Sequence, residues 1–171
     1  MPSPETPTPS PSKQTVLTVD DDEAVNEICR DFLEKAGFSV LTASGSSEAL
    51  KICKQHPGPI HLLITDIVMP PPSFSLASSG NEFPHVHGHE LAVRALRMRK
   101  DLRVLMMSGN LDNDLAGYGI HKDALSFILK PFDYAGLINH VNEAIQAPPL
   151  DPESLMKQNT KGPKGADEWF D

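Results

Sequence analysis

Four polar positions in this chain each follow directly on a short apolar run. Val16-Leu17-Thr18-Val19 leads into Asp20-Asp21-Asp22, Leu62-Leu63-Ile64-Thr65 into Asp66, Val104-Leu105-Met106-Met107 into Ser108, and Phe127-Ile128-Leu129 into Lys130-Pro131. Carboxylates gathered in one place repel one another unless a cation sits among them, and an oxygen-only donor set calls for a hard ion such as Mg²⁺. A carboxylate is also a nucleophile able to form an acyl phosphate, with a divalent ion and a lysine ammonium neutralising charge on the equatorial oxygens. Asp66, alone after its run, suits the nucleophile, and Lys130 the fixed positive charge. Ser108 offers a hydroxyl to a phosphoryl oxygen. These residue types compose a phosphoryl-transfer site if folding brings the four run ends together.

Each piece alone has a plainer reading. Asp20-Asp21-Asp22 suits an acidic helix start with Asp22 as its N-cap. Ser108-Gly109-Asn110 suits an ordinary turn, and Lys130 a solvated lysine. Only the combination is specific, so the elements that carry the four ends decide the matter.

Brief apolar runs alternate with longer segments of helical period, the pattern of βα units on a parallel sheet buried on both faces. The runs predict strands at Thr15–Val19, Ser39–Thr42, Ile60–Thr65, Arg103–Met107 and Ser126–Leu129. Helices are predicted at Glu23–Ala36, Ser46–Gln55, Gly88–Arg99, Asp112–Tyr118 and Tyr134–Gln146. In the first, Val25, Ile28, Phe32 and Leu33 form an apolar stripe that Gly37 ends. The fourth has a thin apolar face, and Gly117 and Gly119 lower its propensity. In open parallel sheets ligands bind outside the carboxyl ends of the strands, where the four polar positions fall.

Residues 1–14 carry five prolines among Ser and Thr, and the reading is a disordered leader. Residues 148–171 are read as a flexible tail and 15–147 as the one ordered domain, which suits 171 residues with 39% apolar content. The leader sets Glu5 against Lys13, and the tail five acids against three lysines, so most of the net charge of −8 sits on the body. That acidic body argues against direct binding of nucleic acid. Cys29 and Cys53 both fall in helical stretches and suggest free thiols in a reducing compartment. With no export signal and no apolar run near the roughly 18 residues of a membrane span, a cytoplasmic protein is expected. Arg94, Arg97, Arg99, Lys100 and Arg103 read as a solvated helix face. His85, His87 and His89 alternate as a zinc or nickel site on an extended segment would, although Pro84 and Gly88 flank a loop-to-helix junction. His56, His61, His121 and His140 read as surface or boundary residues.

In this order, VLTVDDDE, LLITDIVMP, MMSG and FILKPF resemble the motifs of the response-regulator receiver family of two-component signalling. The likeness spans nearly all of 15–147. It implies a flavodoxin-like α/β fold: a five-stranded parallel sheet of order 2-1-3-4-5 with helices on both faces. It implies Asp66 as phosphoacceptor, Mg²⁺ bound by Asp21, Asp66 and the Val68 carbonyl, and Asp20 acting through water. Ser108 falls on the family's switch position, Lys130 on its lysine and Phe127 on its switch aromatic, with a cis peptide at Lys130–Pro131. The implied partners are a histidine kinase or histidine phosphotransfer protein and a downstream protein target, and the implied role is that of a signalling module, not an enzyme. "MSG" and "PGP" are similar to receivers of hybrid histidine kinases, while the tails suggest a stand-alone receiver.

The departure from the family pattern is an insertion at 71–87, between Met69-Pro70 and Gly88, which has two readings: it shields the acyl phosphate or alters partner docking, or it is a tolerated lengthening of a surface loop. Two other functions fit parts of the pattern. Asp20-x-Asp22 imitates a haloacid-dehalogenase-type phosphatase, but Ala24 stands where that family has Thr or Val and its later acidic pair is missing. A receiver-like scaffold that is never phosphorylated is the other, against which the full set of site residues argues.

Overall fold

The carboxyl ends of four strands do meet on one rim. The computed structural model describes residues 13–70, 83–118 and 125–159. Five parallel strands, β1 (Thr15–Val19), β2 (Ser39–Ala43), β3 (Leu62–Asp66), β4 (Arg103–Ser108) and β5 (Ser126–Leu129), form one sheet in the order β2-β1-β3-β4-β5. That is the order and class the resemblance implied. The helices are α1 (Glu23–Lys35), α2 (Ser46–Gln55), α3 (Gly88–Met98), α4 (Leu111–Tyr118), α5 (Tyr134–Gln146) and α6 (Pro152–Asn159). No helix among the described residues is long and apolar enough to cross a membrane.

The two-residue period of the strands divides the apolar residues between two cores. Leu17, Val19, Leu63, Val104 and Met106 face one side, where α2 adds Leu50 and Cys53 and α3 adds Leu91, Ala92 and Leu96. Val16, Leu62, Ile64, Leu105 and Met107 face the other, against Cys29 and Leu33 of α1 and Leu137 and Val141 of α5. Burial on both faces accounts for the nearly continuous apolar runs.

Element ends moved by small amounts, and two of those moves matter. β3 begins at Leu62 rather than Ile60 and includes Asp66, and β4 includes Ser108, so both polar residues are the last of their strands. The ladder runs on through them: Ile67 N–H donates to the Met107 carbonyl at 3.0 Å, and Lys130 N–H to the Ser108 carbonyl at 2.8 Å. The site residues are therefore held by strand hydrogen bonds and not by loose loops. At the end of α1, Gly37 has φ +97°. Phe38 N–H reaches the Leu33 carbonyl and Gly37 N–H the Glu34 carbonyl, the paired closure that favours glycine at this place.

Three sequence readings need correction. The buried stripe of α1 is Asn26, Cys29 and Leu33, and Ile28 is exposed. The tail read as flexible is helical over Pro152–Asn159: α6 packs on α3, buries Leu155 and pairs Glu153 with Arg97 at 3.1 Å. The arginines are not merely a solvated face. Arg99 donates to the carbonyls of Cys53, His56 and Gly58 at 2.6–2.8 Å, closing the open C-terminal end of α2, and Arg103 donates to Ala147 at 2.7 Å. The junction at Pro84 and Gly88 does break the histidine pattern, as expected: His85 and His87 stack edge to face at 5.4 Å, while His89 lies buried inside α3, so the three imidazoles share no extended face.

Residues 71–82, most of the insertion, lie outside the described residues, as do the leader's residues 1–12 and the tail beyond 159. The insertion's far end is tied down. Val86 N–H donates to Ser46 Oγ at 2.8 Å, His87 Nδ1 accepts from Met69 N–H at 3.1 Å, and Gly88 N–H donates to the Ile67 carbonyl at 2.9 Å. Gly88 also sits against the backbone of the strand end. A Cβ there would lie 2.0 Å from the Asp66 carbonyl oxygen and 2.9 Å from its carbon, so only glycine lets α3 start this close. Gly88→Ala should push α3 away from β3 and cost about 1–3 kcal/mol. Urea unfolding checks this, and a variant as stable as wild type would refute the close approach.

Candidate functional site

The acidic triplet after β1 divides into three roles by local geometry. Asp20 is buried at 1% exposure, and its Oδ1 accepts from Asp22 N–H at 2.8 Å. Asp21 is exposed. Asp22 caps α1, accepting from Ala24 N–H at 3.0 Å, as its sequence position suggested. The plain reading of the triplet thus holds for Asp22 alone.

Across the rim, Lys130 follows β5 through a cis Lys130–Pro131 peptide, as the resemblance implied. Its Nζ donates to Asp20 Oδ2 at 2.5 Å and to Asp66 Oδ2 at 3.0 Å. One carboxylate oxygen from each of Asp20, Asp21 and Asp66 lies within 4.8 Å of the others. Val68, two residues past Asp66, is half-buried against the core, with its N–H directed to the Asp66 carboxylate. Asp20, Asp21, Asp66 and Lys130 are therefore brought together from the ends of β1, β3 and β5.

Ser108 is fully buried, and its hydroxyl donates to Asp114 Oδ2 of α4 at 2.5 Å while accepting from Asn110 N–H at 3.1 Å. Phe127 is half-buried on β5. With Leu111, Leu129, Pro131 and His140 it lines an open, mostly apolar groove of about 610 Å³ between α4, β5 and α5.

The sequence reading missed Asn26 and Asp114. Asn26 Nδ2 donates to the Asp20 carbonyl at 3.0 Å and the Ala43 carbonyl at 2.9 Å, tying the ends of β1 and β2 together beneath the carboxylates. The signal for Asn26 was slight: it stands three and seven residues before Cys29 and Leu33, on the edge of the apolar period of α1. Nothing in the sequence marks Asp114 apart from Asp112.

Burial sets the electrostatics. Desolvation holds both the Asp20 and the Asp66 carboxyl above the ordinary carboxylate range, outweighing the opposing hydrogen bonds from Lys130. Burial alone would lower the Lys130 ammonium, but its bonds to the two carboxylates outweigh that and raise it. The cluster holds more negative charge than one ammonium balances. Its three carboxylates form an oxygen-only set of the kind that hard divalent ions favour, and among the described residues no other His, Cys, Asp or Glu group has metal-holding geometry. A carboxylate beside such an ion and a lysine can receive a phosphoryl group.

Known proteins are similar to this chain in sequence and in fold. A family model for the response regulator receiver domain matches residues 16–73. The DNA-binding transcriptional regulator NtrC of Rhizobium meliloti is 29% identical over 148 residues, 86% of this chain. The chain spans only 27% of that protein's length. The crystal structure of a response regulator receiver protein from Sinorhizobium medicae superposes with TM-score 0.62 at 24% identity, covering 81% of this chain and 98% of that one. The receiver domain of the hybrid histidine kinase CckA gives TM-score 0.57 at 26% identity, covering 77% and 99%.

Because the folded chain holds protons on Asp20 and Asp66 more tightly than the unfolded chain does, these groups favour the fold at low pH. That contribution falls as pH rises through their raised values. Mg²⁺ should therefore stabilise most at neutral pH, by about 2.7 kcal/mol at about 100 times its dissociation constant. The gain should shrink as the solution is acidified. Asp66→Asn should melt higher than wild type without metal, by about 2–4 °C for each kcal/mol of repulsion relieved, and respond less to Mg²⁺. Scanning calorimetry over a pH series tests this, and melting indifferent to Mg²⁺ at pH 7 would count against the site.

Proposed function

We propose, from the premise that the chain carries a receiver domain of the response-regulator family, that residues 15–147 accept a phosphoryl group onto Asp66 and signal through protein contacts. The observation that carries the proposal is Lys130 bridging Asp20 and Asp66, with an Asp21 oxygen within 4.8 Å of both carboxylates.

In this reading the Asp66 carboxylate is the nucleophile. The phosphorus bond to the donor's imidazole nitrogen breaks as the bond to the Asp66 oxygen forms. Lys130 holds that carboxylate in place and faces the charge that builds on the transferred oxygens. Asp21, Asp66 and the Val68 carbonyl would bind Mg²⁺, with Asp20 acting through water. The ion, when bound, neutralises phosphoryl charge. Ser108 donates its hydroxyl to a phosphoryl oxygen, and Phe127 follows by a change of rotamer.

The output is then a population shift at the surface of α4, β5 and α5, where the groove beside Phe127 offers apolar area to a protein target. The phosphoryl donor is a histidine kinase or a histidine phosphotransfer protein. The chain acts as a signalling module, and its acidic charge favours protein over nucleic acid as the direct partner.

Acetyl phosphate with Mg²⁺ should label the chain once, and Asp66→Asn should abolish the label in intact-mass spectrometry. Lys130→Ala should slow labelling by about 10²-fold or more, the scale of losing one preorganised charge partner. Steady turnover of a general phosphate ester, or labelling that survives Asp66→Asn, would overturn the assignment.

A further inference from the structure

A serine hydroxyl carries a single proton, so it donates one hydrogen bond at a time. In Ser108 that proton is committed. The hydroxyl donates to Asp114 Oδ2 at 2.5 Å, and its oxygen accepts from Asn110 N–H at 3.1 Å. Ser108 is wholly buried at the end of β4, and Asp114 is half-buried in the first turn of α4, six residues further along the chain.

We propose that Asp114 competes with the phosphoryl group for the Ser108 proton and is thereby a positioning residue that sets how readily the phosphorylated conformation forms. The inference rests on the assignment of Asp66 and Ser108 made above and adds the regulation of that site. A hydrogen bond to a charged acceptor is about twice as strong as one between neutral groups, so a carboxylate is a firm holder of the proton. For Ser108 to serve a phosphoryl oxygen, the bond to Asp114 must break. That release frees the first turns of α4 from the rim, because Ser108 is the polar tie between the end of β4 and Asp114. The competition links the state of Asp66 to the position of α4, and α4 borders the apolar groove beside Phe127.

The charge of Asp114 must be separated from its hydrogen bond, and Asp112 allows this. It lies in the same first turn of α4 and is exposed, so Asp112→Asn removes the same charge without touching Ser108.

The test uses the full chain with beryllofluoride and Mg²⁺ as the probe, reading affinity by calorimetry. Asp114→Asn should tighten binding by about 3-fold and Asp114→Ala by about 10-fold, since the first keeps a weaker neutral acceptor and the second keeps none. Asp112→Asn should match wild type. In a Ser108→Ala background, Asp114→Ala should change affinity less than 2-fold, a coupling that a merely structural role for Asp114 would not produce. Binding of both Asp114 variants at wild-type strength or weaker, or equal effects with and without Ser108, overturns the proposal. Wild type that binds no beryllofluoride at all would instead remove the phosphoacceptor assignment beneath it.

Discussion

One ammonium group, that of Lys130, holds carboxylates from two different strands, and the rim of the sheet is organised around it. Asp20 is buried where an ionised carboxyl is costly, and desolvation still outweighs its stabilising bonds. The arrangement is short of positive charge by design of its geometry. Such a cluster is poorly suited to stabilising the fold and well suited to taking up a cation and then a phosphoryl group. Desolvation by burial, with a smaller contribution from the neighbouring Asp20 charge, holds Asp66 above its usual range despite a lysine 3.0 Å away.

The frame around the cluster is correspondingly rigid. Asn26 ties the ends of β1 and β2, and ladder bonds continue past Asp66 and Ser108 into the following segments. Gly88 lets α3 abut the Asp66 backbone, so the segment that closes the insertion is fixed to the site even though it is separated from Asp66 by more than twenty residues of chain. The softer side is α4, a short helix with a thin apolar face, joined to the rim by the Ser108–Asp114 bond. On the proposed reading, a firmly held acidic centre beside this short helix is the arrangement that a switch needs.

Most elements were legible because burial on both faces of a parallel sheet writes apolar runs of strand length, and the segments between them kept a helical period. Gly37 and Asp22 were read correctly as helix signals because caps are local. The errors have a common origin. Ile28 looked like core because the apolar period of α1 was centred one residue away from Asn26, whose burial depends on two backbone carbonyls elsewhere in the chain. The tail's helix was invisible because α6 has a weak pattern of its own and is held by α3 through Leu155 and Arg97. Arg99 looked solvated because its acceptors lie more than forty residues earlier, at the end of α2.

The sequence by itself determined which residue types stand at the ends of four strands, and hence the chemistry open to them, since side-chain type and strand period are local properties. Only the tertiary structure decided that β1, β3 and β5 bring those ends within hydrogen-bonding reach, that Asp20 is buried while Asp21 is not, and that the Ser108 proton belongs to Asp114. These are distances between residues far apart in the chain, and they are set by how the sheet pairs and the helices pack rather than by the identity of any one residue.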